Sequence, residues 1–203
     1  MSAYESDQKN ADASVDALVE TIAILAAVVQ KRDKKKGKVH VIAHSMGNRI
    51  LLQAMYKINQ SRTDYFQESP LGQVVLAAPD VGAIMFNNLS PHLIDLSEQV
   101  TYYFCKGDMA LNTSQRINHY EPVGMLPYFD DGLSTIDANG VGTSFITHGY
   151  YASSREVLRD IELLLKHGRP PSQRMPPLAM ETEVFGHKCW AFLETKNITT
   201  ETR

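Results

Sequence analysis

The chain has 203 residues, of which 43% are hydrophobic and 21% are charged, and its formal net charge is -3. This length and hydrophobic content predict a single domain with one sizeable core, and they exclude extensive disorder. The nearly balanced charge gives no electrostatic reason to expect nucleic acid as a partner.

The first part of the chain predicts a helix, a buried strand and a second helix. After a polar start, Ser14 is expected to cap a helix whose apolar residues follow helical spacing until Gly37 ends it. The short apolar run 39–42 then predicts a buried strand. The pattern after that strand is typical of a helix that continues to about Ile58.

Three more strands and a last helix are predicted further along. The run 73–79 is apolar and bounded by glycine and proline, 100–105 is β-branched and aromatic, and 133–137 is a weaker candidate. A final helix is expected to begin after Ser153 or Ser154. Alternating strands and helices indicate the α/β class, with a mainly parallel sheet flanked by helices.

The composition changes near residue 168. Residues 1–167 are therefore expected to form the core, and residues 168–203 a Pro-rich spacer followed by a tail. Within that tail, the apolar segment 184–193 is expected to fold back onto the surface of the core.

A serine stands between small residues directly after the first predicted strand, in the segment 43–47 (AHSMG). This setting is typical of a nucleophile elbow, the sharp turn that lifts a serine hydroxyl clear of the backbone and beside its base. Because the turn brings chain segments close together, it is expected to require small residues on both sides of the serine, and Ala43 and Gly47 meet that requirement. The alternative is that Ser45 only caps the helix that follows.

Ser45, Asp108 and His148 occur in the order serine, acid, histidine, and each lies in a connection after a predicted strand. A histidine can take the proton of a serine, and a carboxylate can orient that histidine and stabilise its charged form. Asp80 follows an earlier strand and is the alternative acid or a pocket residue. The plainer alternatives are a helix-capping role for Asp108 and a surface-loop role for His148.

The remaining histidines and the cysteines predict no further chemistry. His40 and His44 flank the serine and are expected to have structural roles. Cys105 and Cys189 do not form a disulfide framework, and the chain offers too few clustered ligands for zinc. We therefore expect no metal and no cofactor.

With these residues in place, the chain resembles the DUF900 family of α/β-hydrolases of unknown function, which are esterase- or lipase-like proteins found largely in bacteria. The segments that carry the resemblance are 40–49 (HVIAHSMGNR), 76–81 (LAAPDV), 108–114 (DMALNTS) and 148–151 (HGYY). The resemblance implies that Ser45, Asp108 and His148 are the catalytic triad. It also implies that the backbone N–H of Met46 is one donor of the oxyanion hole.

The chain departs from the family pattern at its start. The family begins with further strands and a His-Gly-Phe-type loop that supplies a second oxyanion donor, and neither precedes Met1. A partial α/β-hydrolase fold, truncated at its N-terminus, is therefore expected. The strand 39–42 would then be an apolar sheet edge, open to a missing N-terminal segment or to a second copy in a homo-oligomer.

The predicted function is a serine hydrolase that cleaves small-molecule carboxylic esters. The alternative is a catalytically impaired or non-catalytic fragment that binds a partner through the exposed sheet edge. No apolar run is long enough to span a bilayer, and no signal peptide is present at the start. The sequence as written suggests the cytoplasm, but localisation stays open because a targeting segment upstream of Met1 would change it.

Overall fold

The structure is a computed structural model, which describes residues 3–32, 38–61, 70–139, 141, 148–174 and 180–192. Three expectations lie outside the described residues: the helix end at Gly37, the loop that leads to His148, and the prolines at 176–177.

Two consecutive helices open the chain, α1 (Ala3–Ala13) and α2 (Val15–Arg32). The polar start was not expected to be helical, but it gains a partner because Asp12 binds Arg49 of a later helix at 2.8 Å. The expected capping role of Ser14 is wrong: its hydroxyl donates backwards to the carbonyl of Asn10 at 2.8 Å. Ser14 therefore joins the two helices and does not cap the second one.

Six strands of the described chain form one sheet, in the spatial order β1-β2-β3-β4-β6-β5. All neighbouring pairs are parallel except β5 and β6. This arrangement confirms the predicted mainly parallel α/β fold. The strands are β1 (Val39–His44), β2 (Leu71–Ala77), β3 (Ser97–Phe104), β4 (Leu133–Asp137), β5 (Met180–Val184) and β6 (His187–Ala191).

The core lies on both faces of β2 and β3. Every residue of β2 is buried, which explains why its sequence is apolar except for Gln73 and does not alternate with polar residues. Val74 and Leu76 belong to one core cluster and Val75 and Ala77 to the other, because successive side chains of a strand point to opposite faces.

Helices cover each face of the sheet. On one face lie α2, α3 (Gly47–Ser61) and α4 (Ala83–Asp95), and on the other lies α7 (Arg155–His167). The helix α5 (Met109–Asn118) follows β3, and the short α6 (Tyr150–Ser153) precedes α7. Of the two expected caps for the last helix, Ser154 is the one used, since its hydroxyl accepts from Val157 N at 3.3 Å. No helix of the described residues is both long and apolar enough to cross a membrane.

The segment after α7 is joined to the core at two places. Strand β6 pairs with β4, so this part of the tail extends the sheet. Arg174 is 2% exposed, and its guanidinium donates to Asp160 Oδ2 at 3.0 Å and to Thr101 Oγ1 at 2.9 Å. The hydroxyl of Tyr103 also donates to Asp160 Oδ2. Burial raises the pKa of the Asp160 carboxyl, and the positive charge of Arg174 opposes that rise.

Replacing Arg174 with methionine should reduce the free energy of unfolding by about 3–5 kcal/mol, because Asp160 would remain buried without its counter-charge. The loss should be smaller at mildly acidic pH, since burial favours the neutral carboxyl. Urea unfolding followed by circular dichroism measures both effects. Arg159→Ala is the matched control, because Arg159 pairs with Glu162 on the exposed face of α7. Equal stability of the two variants would contradict a structural role for the buried pair.

Candidate active site

Ser45 forms a sharp turn between β1 and α3. Its φ is 53°, in the left-handed region that a residue with a side chain enters only at a cost of about 1–3 kcal/mol. The turn is held from the neighbouring strand: Ser45 N donates to the carbonyl of Ala77 at 3.1 Å, and Asp80 N donates to the carbonyl of Ser45 at 3.2 Å. These contacts bind the backbone of the turn to the end of β2.

Asn48 is a supporting residue of this turn that sequence reasoning missed. It is fully buried, and its Nδ2 donates to the carbonyl of Ser45 at 3.0 Å and to that of Ala77 at 3.2 Å. Its Oδ1 has no hydrogen-bond partner among the described residues. Burying an amide oxygen without a hydrogen-bond partner costs free energy, and the two bonds that Nδ2 donates offset that cost. The only available signal was a polar residue on the apolar face of α3.

The requirement for small residues at both flanks of the serine is only partly met. Ala43 is buried, as a close approach requires. The expectation for Gly47 is wrong, because a Cβ atom built there meets no described atom within 4 Å. The tight approach lies at Gly124 instead, where a Cβ atom would come within 2.6 Å of the backbone between Ala78 and Pro79.

Asp108 and His148 meet at the carboxyl end of β3. Asp108 Oδ2 lies 2.8 Å from His148 Nδ1, and the two side chains are 1% and 23% exposed. Asp108 Oδ1 accepts from the backbone N–H groups of Ala110 and Leu111, so this residue also caps α5. Both oxygens of the carboxylate are therefore engaged, and its orientation is fixed.

Asp80 has a different environment. Its carboxylate is buried, and Oδ1 accepts from the hydroxyl of Ser114 at 2.6 Å. Its backbone N–H contacts the Ser45 turn, as described above. The structure therefore brings Asp108 to His148 and connects Asp80 to the serine through the main chain.

His44 contacts His148 directly. Its Nε2 lies 2.8 Å from the carbonyl oxygen of His148, and the centroids of the two rings are 4.3 Å apart. In the described residues, no hydrogen bond joins the Ser45 hydroxyl to the His148 ring. The connection between the two runs through His44, which precedes the serine.

The other expected residues have structural surroundings. His40 Nδ1 accepts from Gln73 N at 2.8 Å, and both cysteines are free and buried. Burial raises the pKa of the Cys105 thiol and raises that of Cys189 to about 11, which keeps both in the unreactive thiol form. Across the described residues, no cluster of three or more His, Cys, Asp or Glu side chains is arranged to hold a metal ion.

Comparison with known proteins identifies a family. The family model described as "Alpha/beta hydrolase of unknown function (DUF900)" matches residues 1–167. No curated protein and no solved structure matches the chain.

Replacing Asn48 with alanine should reduce the free energy of unfolding by about 1 kcal/mol, because the carbonyls of Ser45 and Ala77 each lose one donor but keep another. Urea unfolding measures the loss. Gln53→Ala serves as the control on the same helix, since Gln53 makes its side-chain bond to Asp12 in solvent-exposed surroundings. Unchanged stability of Asn48→Ala would show that the Ser45 turn does not depend on this amide.

Proposed function

This chain belongs to the family of α/β-hydrolases of unknown function, and from that premise we propose that it is a serine hydrolase that cleaves carboxylic esters. The observation that carries the proposal is the buried Asp108 carboxylate at 2.8 Å from His148 Nδ1. This pair lies at the same edge of the sheet as the strained turn of Ser45, because Ser45 and Asp108 follow the carboxyl ends of the parallel strands β1 and β3, and His148 contacts Asp108.

In the proposed reaction, Ser45 Oγ attacks the ester carbonyl carbon while its proton passes to His148 Nε2. Asp108 accepts a hydrogen bond from His148 Nδ1–H, which orients the ring and stabilises the imidazolium as it forms. The backbone N–H of Met46 donates to the oxyanion of the tetrahedral intermediate.

The intermediate then collapses as the carbon–oxygen bond to the alcohol breaks. His148 gives its proton to the departing alkoxide, which leaves an acyl group on Ser45. A water molecule attacks this acyl-enzyme with His148 again acting as the base, and the carboxylic acid and the free Ser45 hydroxyl are regenerated.

The choice between Asp108 and Asp80 as the acid rests on their contacts. Asp108 Oδ2 is bonded to an imidazole nitrogen, whereas Asp80 Oδ1 is bonded to the hydroxyl of Ser114. We therefore assign the triad role to Asp108 and a supporting role at the turn to Asp80. Asparagine is also a good helix cap, so Asp108→Asn preserves α5 while it removes the charge.

Hydrolysis of a short-chain nitrophenyl ester tests the triad. Ser45→Ala should lower kcat by about 10⁶-fold, and Asp108→Asn should lower it by about 10⁴-fold, as loss of the triad acid does elsewhere. Asp80→Asn should retain far more activity than Asp108→Asn. Equal rates for the wild-type protein and Ser45→Ala would refute the proposal, and the reverse ranking of the two aspartate variants would reassign the acid.

A second candidate function is binding through the edge of the sheet. Among the described residues, strand β1 forms one edge of the sheet, and its residue Ile42 is 45% exposed. An exposed apolar edge strand offers unpaired backbone donors and acceptors to another strand. In this reading the chain is a non-catalytic hydrolase-like protein in which β1 pairs with β1 of a second copy.

Sedimentation analysis with and without a charge on that edge tests this second candidate. The wild-type protein should sediment as a dimer and Ile42→Lys as a monomer, because a charged lysine on an edge strand opposes pairing between edges. A wild-type monomer that a fluorophosphonate labels at Ser45 would contradict the second candidate and support hydrolysis.

A further inference from the structure

His44 holds the segment 148–151 at two points. Its Nε2 lies 2.8 Å from the carbonyl oxygen of His148, and its ring stacks on Tyr151 with 4.4 Å between centroids and 28° between planes. His44 is also the residue directly before Ser45, at the end of β1. One side chain therefore connects the strand that carries the serine with both ends of the segment that carries His148.

The acceptors around both histidines fix where their hydrogen atoms lie. A carbonyl oxygen can only accept, so His44 Nε2 carries a hydrogen atom and donates it to His148. His148 Nδ1 likewise donates to the carboxylate of Asp108. The main chain of His148 is therefore held by His44, and its ring is held by Asp108. Because Nδ1 of His148 carries the hydrogen atom of the neutral ring, Nε2 of His148 is the nitrogen that can accept a proton.

We propose that His44 is a positioning residue for His148, which keeps the segment 148–151 docked on the end of β1, directly before Ser45. The inference rests on the proposed ester hydrolysis, because it assigns His148 as the base. His44 itself transfers no proton in this scheme. A misplacement of about 1 Å can cost about a hundredfold in rate, so a residue that fixes the base affects turnover without contacting the substrate.

The charge state of His44 suits this role. Burial is the main reason that the pKa of His44 lies below its ordinary value of 6.5, and a positive charge on His148 lowers it further. The bond to the His148 carbonyl and the charge of Asp108 act in the opposite direction. A neutral His44 is required, since a cation with its ring 4.3 Å from that of His148 would oppose the imidazolium of the proposed reaction.

Two substitutions at position 44 separate the hydrogen bond from the ring. His44→Phe retains a ring to stack on Tyr151 but has no donor, and His44→Gln retains a donor at a similar reach but has no ring. With a nitrophenyl ester as substrate, His44→Phe should lower kcat about tenfold to a hundredfold with KM little changed. His44→Gln should recover most of that loss. His167→Gln is the control, because His167 is exposed at the end of α7.

A titration by NMR gives a readout that does not depend on turnover. In the wild-type protein, His44 should titrate below 6.5, and its pKa should rise in His148→Gln because the neighbouring positive charge is gone. The backbone carbonyl at position 148 is present in both proteins, so the change isolates the interaction between the two rings.

The outcomes distinguish the two proposals. If the wild-type protein is labelled at Ser45 and hydrolyses the ester but His44→Phe has unchanged kcat, the positioning role is refuted and hydrolysis stands. If His44 titrates identically with and without the His148 ring, the two rings do not lie 4.3 Å apart, and docking of residue 148 on His44 is refuted. If the wild-type protein is neither labelled nor active, hydrolysis is refuted, and the positioning role with it, whatever the titration shows.

Discussion

The left-handed backbone of Ser45 is the constraint on which the arrangement of the site depends. A positive φ is unfavourable for serine, so the turn persists only because neighbouring groups hold it. The carbonyl oxygen of Ser45 accepts from Asn48 N, Asn48 Nδ2 and Asp80 N, at 3.0 to 3.2 Å. Two of these donors come from the helix after the turn and one from the end of β2. The serine is therefore fixed relative to the sheet as a whole.

A second strained turn extends this support across the sheet. Ala78 also has a positive φ, of 44°, and its N–H donates to the carbonyl of Tyr103 on β3 at 3.2 Å. Gly124 packs against this turn so closely that a side chain there would collide with the backbone. The ends of β1, β2 and β3 are thus bonded in series, and Asp108 follows the last of them. Rigid strand ends are the elements that can hold a serine and a carboxylate at fixed separation.

Much of the fold could be predicted because its signals are local. The apolar run of β2, the helical spacing after Ser45 and the cap at Ser154 each depend on residues close together in sequence. The features that escaped prediction depend on distant partners. The helical start of the chain is bonded to α3, and the supporting roles of Asn48 and His44 depend on their contacts with Ala77 and His148. The chain order of serine, acid and histidine predicted the candidate site, but no spacing indicated the residues that support it.

The buried group formed by Arg174, Asp160 and Tyr103 has a consequence for synthesis of the protein on the ribosome. Strand β3 ends at Phe104 and helix α7 at His167, so both leave the exit tunnel before Arg174, and until Arg174 follows them Asp160 has no guanidinium partner. Burial of this carboxylate is unfavourable until the guanidinium arrives. Stable packing of α7 against β3 during translation is therefore expected only after Arg174 has emerged.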